Sequence, residues 1–282
     1  MSTVAEHGTS KSHAAADAHP IRPFAERYRS AIGNPRLASN VTRYQRNWRV
    51  NRDKSLEEIE FEELRARFKA TKTKVQDRLD EYLAEFQAAA EQAGTIVHHA
   101  RNAAEANRIF HEICVRHNAT QIVKSKSMVS EEIELNHYLE ARGVECVETD
   151  LGEWIVQKAG ERPSHIVGPA LHMGREDVGD LLNNRMGVPV SNDDIPEQVH
   201  AIRDLIRPLF FTAGVGMTGA NALIAETGTV MMCTNEGNGR MASSVPPVHV
   251  VLAGIEKLIP TFEDAVDQLR LLGRSGTGQR MT

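Results

Sequence analysis

Two lysines and two serines alternate in the stretch KSKS, near the middle of the chain. The apolar run QIV before it predicts a buried strand, and MVSEEIELNHYLEARG after it predicts a helix. Lys124, Ser125, Lys126 and Ser127 would therefore lie between a strand end and a helix N-terminus, where free backbone N–H groups attract anions. The stretch predicts an anion-binding site. The alternative is a serine N-cap beside solvated lysines.

A second polar segment, TNEGNGR at residues 234–240, interrupts two apolar runs that are typical of strands. Its glycines would let the backbone approach a ligand closely, and Arg240 offers a bidentate fork for a carboxylate or phosphate. A plain hairpin turn needs only about two to five residues and no such collection of polar groups. We therefore predict a ligand-binding loop that uses the side chains of Asn235, Glu236, Asn238 and Arg240.

Other candidates follow predicted strands. Asp150, after VECVETD, either binds a ligand hydroxyl or caps the following turn, and His172, after SHIVGPA, is either structural or part of the same rim. The ligand-binding set also includes Thr218, Thr227 and Gly228. Because parallel strands end at one edge of a sheet, we expect the lysines, Asp150 and the TNEGNGR loop to share one cleft.

Several motifs are weaker than they look. GVGMTG at residues 214–219 matches the dinucleotide fingerprint, but strand and turn residues follow it instead of a helix, which favours a tight bend between strands. His111, Glu112 and His117 lack the spacing of a zinc motif. We predict no metal site.

The composition limits the class of protein. The chain has 282 residues, 41% of them hydrophobic, a net charge of −5 and three dispersed cysteines. These values indicate an α/β domain in a reducing cytoplasm and argue against a nucleic-acid binder. No apolar run approaches the roughly 20 residues that cross a bilayer. Residues 1–20 are small and polar, which predicts a disordered tail and not a signal peptide.

Two regions follow the tail. Residues 21–93 predict a helical extension, whose Arg- and aromatic-rich part (21–50) favours an arm packed on a partner subunit over an RNA contact. Residues 94–282 alternate between strands and helices, which predicts a mostly parallel sheet covered on both faces. The predicted strands are GTIVHHA, QIVKSKS, VECVETD, SHIVGPA, NALIAE, GTVMMCT and VHVVLAG.

The strings KSKSMVSEE, ETDLGE and TNEGNGR, in this order, resemble the LUD domain of bacterial lactate-utilisation proteins, and the resemblance runs from about Glu57 to the C-terminus. It implies a fold like that of the sugar isomerases and CoA transferases (NagB/RpiA/CoA transferase-like). It also implies a role in a multi-subunit system that oxidises L-lactate to pyruvate, with iron–sulfur proteins among its partner subunits. In that system we expect the chain to bind a small anionic ligand, partner subunits or both.

Family members of this kind continue into a ferredoxin-like region whose cysteines bind [4Fe–4S] clusters. The sequence ends at Thr282 without those cysteines. We therefore expect no cofactor in this chain, with the clusters in a missing C-terminal region or in a partner. The chain would then be a split gene product, a truncated form or a paralogue with the LUD domain alone.

Two other functions stay open. The string AETG resembles the element that supplies the glutamate nucleophile of CoA transferases, so Glu226 could attack a thioester in a stand-alone enzyme. The other alternative is a non-catalytic scaffold subunit that uses the N-terminal helices as docking surfaces.

Overall fold

A computed structural model describes residues 23–165 and 168–280. The chain divides into two compact units, residues 1–34 and 35–282. The described part of the first unit contains helix α1 (Phe24–Ile32), on which the rings of Phe24 and Tyr28 stack with centroids 6.0 Å apart. All the elements that follow belong to the second unit.

The strands of the described residues form two sheets. Their ranges are β1 Gln121–Lys124, β2 Glu145–Glu148, β3 Val215–Thr218, β4 Ala222–Ile224, β5 Thr229–Met231, β6 Val248–Val251 and β7 Leu258–Ile259. The larger sheet has the order β2-β1-β3-β6, and every pair in it is parallel. The smaller sheet has the order β5-β4-β7, with β4 antiparallel to β5 and parallel to β7.

Helices cover both faces of the parallel sheet, as the sequence predicts. The α-helices of the second unit, within the described residues, are α2 Pro35–Leu56, α3 Phe61–Asp77, α4 Leu79–Gln92, α5 Ala103–Arg116, α6 Met128–Glu132, α7 Leu135–Glu140, α8 Leu151–Ala159, α9 Arg175–Asp180, α10 Ile195–Ile206, α11 Leu209–Thr212, α12 Asn238–Ser244 and α13 Phe262–Thr277. Successive strand side chains point to opposite faces. Val123 therefore packs in the core cluster that contains Trp154 and Ile202, and Ile122 packs in the cluster that contains Phe110 and Leu139.

The N-terminal helices of the second unit pack on their own chain. Trp48 Nε1 donates a hydrogen bond of 2.8 Å to the carbonyl of Gly276, and the ring of Tyr44 lies edge-on to His165 at 5.6 Å. Tyr44 and Trp48 thus contact their own chain, and packing of the arm on a partner subunit stays a prediction. Among the described residues, none of the helices combines the length and the apolar character that a membrane crossing requires.

Three predicted elements differ in the structure. GTIVHHA forms no strand: it begins in the turn at Gly94, Ile96 is 71% exposed, and Val97 packs against the core cluster that contains Phe86. The described residues of SHIVGPA form a closed turn, in which both the backbone N–H and the hydroxyl of Ser164 donate to the carbonyl of Pro169. Ile166 and Val167 lie outside the described residues.

GVGMTG is not a bend but contains the central strand β3. A Cβ atom on Gly216 would lie 1.8 Å from the carbonyl oxygen of Ala242, so the glycine lets the backbone of α12 pack directly against the strand. The expectation that this motif is not a dinucleotide fingerprint agrees with the structure, because no helix starts at its third glycine.

Candidate functional site

A cleft of about 400 Å³ opens at the carboxyl edge of the parallel sheet. Its walls are the segments that follow β1, β2, β3 and β6, together with the segment between β5 and α12. The structure brings together seven of the predicted site residues here: Ser125, Lys126, Ser127, Asp150, Asn235, Glu236 and Asn238. Ligands of open α/β sheets bind at this edge, so the cleft is the candidate site.

The segment after β1 supplies serines and a lysine. The hydroxyl of Ser127 accepts a hydrogen bond from the N–H of Ser130 and caps α6. Ser125 is only 7% exposed, and its hydroxyl has no hydrogen-bond partner among the described residues. Lys126 Nζ lies 3.4 Å from Glu153 Oε1, with 24% of the lysine side chain exposed. Ser127 is thus used for folding, whereas Ser125 and Lys126 remain able to contact a ligand.

Two carboxylates accept hydrogen bonds from the N-terminus of α8. Asp150 Oδ1 accepts the N–H groups of Gly152 and Glu153 at 3.1 and 3.2 Å. Glu236 Oε2 accepts the N–H of Leu151 at 3.1 Å, which ties the loop before α12 to this helix. Burial and the nearby charge of Asp150 raise the pKa of Glu236. The free N–H groups expected at this helix end are therefore occupied by the protein's own carboxylates.

Lys124 does not reach the cleft. Its side chain is completely buried, with Nζ 2.6 Å from Glu148 Oε1 and 3.0 Å from Glu131 Oε1. Burial acts to lower the pKa of Lys124, but the charges of Glu148 and Glu131 together raise it. Asn136 also donates a hydrogen bond to Glu148. The predicted anion cradle thus separates into a buried ion cluster under Lys124 and an accessible group at Lys126.

Other predicted residues also lie outside the cleft lining. The hydroxyl of Thr218 is buried against His249 Nε2 at 2.8 Å. His172 pairs with Glu161 at 2.6 Å, and Arg240 is exposed on α12. TNEGNGR is thus not wholly a loop, because its last three residues begin this helix.

The turn that contains Glu226, Thr227 and Gly228 lies apart from the cleft. Glu226 Oε1 accepts the N–H of Phe262 at 2.6 Å, at the start of α13. Gly228 packs so closely on α4 that a Cβ would lie 2.2 Å from the backbone nitrogen of Ala90. These contacts hold α4 and α13 together at the smaller sheet.

Several lining residues were not predicted. They include Asn221, Cys233, Glu256 and Lys257, and Glu153 stands behind Lys126. Asn221 Oδ1 accepts the N–H of Cys233 at 2.7 Å and fixes the strand end that leads to TNEGNGR. Of these residues, Glu153 has a sequence signal, because it is the last residue of the ETDLGE string.

The described residues contain no group of three or more His, Cys, Asp or Glu side chains arranged to hold a metal ion. A [4Fe–4S] cluster bound by cysteines needs four thiolates, whereas the sequence has three cysteines. Cys114 and Cys146 are buried, and burial raises the pKa of Cys114 to about 11. Cys233 lines the cleft. These residues do not fit an iron–sulfur cluster.

Comparison with known proteins defines the class. The family model of the LUD domain matches residues 83–282, so the chain belongs to the LUD domain family. It is 38% identical to "Lactate utilization protein B" of Bacillus subtilis (strain 168) over 263 residues, which are 92% of this chain and 54% of that protein. It is equally similar to "Uncharacterized electron transport protein YkgF" of Escherichia coli (strain K12), at 38% over 261 residues, again 92% of this chain and 54% of that protein.

The chain thus spans about half the length of the curated relatives it matches. No solved structure matches it. The family assignment confirms the resemblance drawn from KSKSMVSEE, ETDLGE and TNEGNGR, whereas the fold of the sugar isomerases and CoA transferases stays a prediction.

Proposed function

We propose that this chain is the LUD-domain component of a system that oxidises L-lactate to pyruvate, and that its cleft binds a small anionic ligand. The names of the relatives, which refer to lactate utilisation and electron transport, support the system. The observation that carries the binding role is the pairing of Lys126 with the unpartnered hydroxyl of Ser125 in a cleft at the carboxyl edge of the sheet.

Lys126 is the residue on which the anion depends. Its ammonium group is partly exposed and held by one carboxylate, so a ligand carboxylate or phosphate can share it. Ser125 then donates its hydroxyl from the same wall. The iron–sulfur clusters of the system would be held by partner subunits or by a further region, since the cysteines described above do not fit one.

Binding is tested by calorimetric titration and thermal melting with L-lactate, pyruvate, phosphate and CoA. We expect a small acid to bind the wild type and Lys126→Met to weaken that binding about tenfold, the loss of one charge-assisted contact. Lys69→Met, at an exposed position on α3, is the matched control and should bind as the wild type does. Binding of CoA alone would favour the transferase alternative. Absence of binding by any of the four would refute the small-anion site.

A further inference from the structure

The lining of the cleft has more carboxylates than lysines, which is unfavourable for a ligand that is a simple anion. The lining contains two lysines, Lys126 and Lys257, against four carboxylates: Glu132, Asp150, Glu236 and Glu256. Each lysine is already close to a glutamate, Lys126 to Glu153 at 3.4 Å and Lys257 to Glu256 at 3.3 Å. An anion with acceptor atoms only would bind Lys126. Its oxygens would also lie near the carboxylate oxygens of the lining, with which they cannot form hydrogen bonds.

Asp150 and Glu236 are the acceptors that matter most. Each uses one oxygen for the N-terminus of α8, and Asp150 Oδ2 and Glu236 Oε1 accept no hydrogen bond from the described residues. Glu236, Asp150 and Lys126 line the same cleft, where the charge of Asp150 acts to raise the pKa of Glu236 and the charge of Lys126 acts to lower it. An ionised carboxylate can only accept hydrogen bonds, so its free oxygen calls for a donor from the ligand.

Ser125 places a hydroxyl donor beside these groups. Its side chain is more than nine-tenths buried, lines the cleft, and has an unpartnered hydroxyl within the described part of the chain. The hydroxyl oxygen is not one of the fully enclosed polar atoms, so it is open to the cleft and available to a ligand. A ligand carboxylate between Ser125 and Lys126 would satisfy this hydroxyl and would direct the rest of the ligand away from that wall.

We propose that the cleft selects small carboxylic acids that carry a hydrogen-bond donor, a hydroxyl or ammonium group, near the carboxylate. The carboxylate binds Lys126 and Ser125, and the donor binds the free oxygens of Glu236 and Asp150. Glu236 is then a specificity-determining residue, because a carbonyl in place of the donor meets a carboxylate oxygen and is repelled. This selectivity rests on the proposed function, since it concerns the same site.

The test uses four acids of three carbons that differ only at the second carbon: L-lactate, L-alanine, pyruvate and propionate. Dissociation constants are measured by calorimetry for wild type, Glu236→Gln and the control Glu57→Gln, an exposed glutamate outside the cleft. We expect L-lactate and L-alanine to bind the wild type about tenfold more tightly than pyruvate and propionate. This preference should fall to less than about threefold in Glu236→Gln and persist in Glu57→Gln.

The outcomes separate the two proposals. Equal binding of all four acids to the wild type overturns the selectivity and leaves the anion site standing. Binding of none of them overturns both. If Glu236→Gln melts at a lower temperature than the wild type, the four wild-type dissociation constants alone decide whether donor-bearing acids are preferred. If Glu236→Gln is well folded and keeps the preference, Glu236 does not determine the specificity.

Discussion

Lys124 and Lys126 are separated by a single residue, but they belong to different kinds of site. Lys124, the last residue of β1, is fully buried and holds Glu148 and Glu131. Lys126 lies beyond the strand end, is partly exposed and forms an ion pair with Glu153. A buried charge must be compensated inside the protein, whereas an exposed one can exchange its partner for a ligand. The comparison therefore separates a residue required for folding from one available for binding.

The largest expected effect comes from removing the buried cation. Lys124→Met should lower the free energy of unfolding by about 3–5 kcal/mol, because Glu148 is left buried without its partner. Lys126→Met should lower it by less, because Lys126 is partly exposed and its contact with the buried Glu153 is longer, at 3.4 Å. Urea denaturation of both variants measures the difference. Equal losses would contradict the division between the two lysines.

Binding should show the opposite dependence. Lys126→Met should weaken binding of the small acid about tenfold, whereas Arg240→Ala should change it less than about twofold, because Arg240 is outside the cleft lining. Calorimetric titrations of the two variants with the best-binding acid provide the comparison. A larger loss of affinity in Arg240→Ala would show that the guanidinium of Arg240 binds the anion. The TNEGNGR segment would then have to rearrange when the acid binds.

The two serines sharpen the comparison further. Ser127→Ala removes the N-cap of α6 and should lower the free energy of unfolding by about 1 kcal/mol. Ser125→Ala should leave stability nearly unchanged and weaken ligand binding, because the hydroxyl of Ser125 has no partner among the described residues. Denaturation and titration of both variants distinguish these roles. A stability loss in Ser125→Ala would show that its hydroxyl is structural.

The smallest effect concerns pH. The pKa of Glu236 is raised above its ordinary value of 4.5 by burial and by Asp150. The folded state therefore holds this proton more tightly than the unfolded state, and the contribution of Glu236 to stability falls as pH rises through its folded pKa. The melting temperature of Glu236→Gln minus that of the wild type should consequently increase as the pH rises from 4 to 7. A relative loss over that range would mean that its contact with Leu151 dominates.

The convergence of strand ends could be predicted from sequence because it needs only parallel strands and their order along the chain. The strands around Val123, Val147 and Val248 are short apolar runs followed by polar residues, and their ends do meet at one cleft. The sequence pattern does not predict helix α8, because ETDLGE is typical of a strand end followed by a turn, although Asp150 is a candidate cap.

The burial of Lys124 could not be predicted, because lysine is almost never fully buried unless it is paired. Its partners lie 7 and 24 residues further along the chain, at Glu131 and Glu148, and only the β1–β2 pairing and the α6 position bring them together. The same limit applies to Glu236, whose contact with Leu151 spans 85 residues. Long-range pairing of charges is a property of the fold and not of local pattern.

The most direct test of the central claim is a crystal structure of the chain grown with an excess of L-lactate. The account predicts a bound acid in the cleft, with its carboxylate within hydrogen-bonding distance of Lys126 Nζ and Ser125 Oγ and its hydroxyl directed at Glu236. A cleft without the acid when calorimetry shows binding, or an acid bound at another surface, would contradict it.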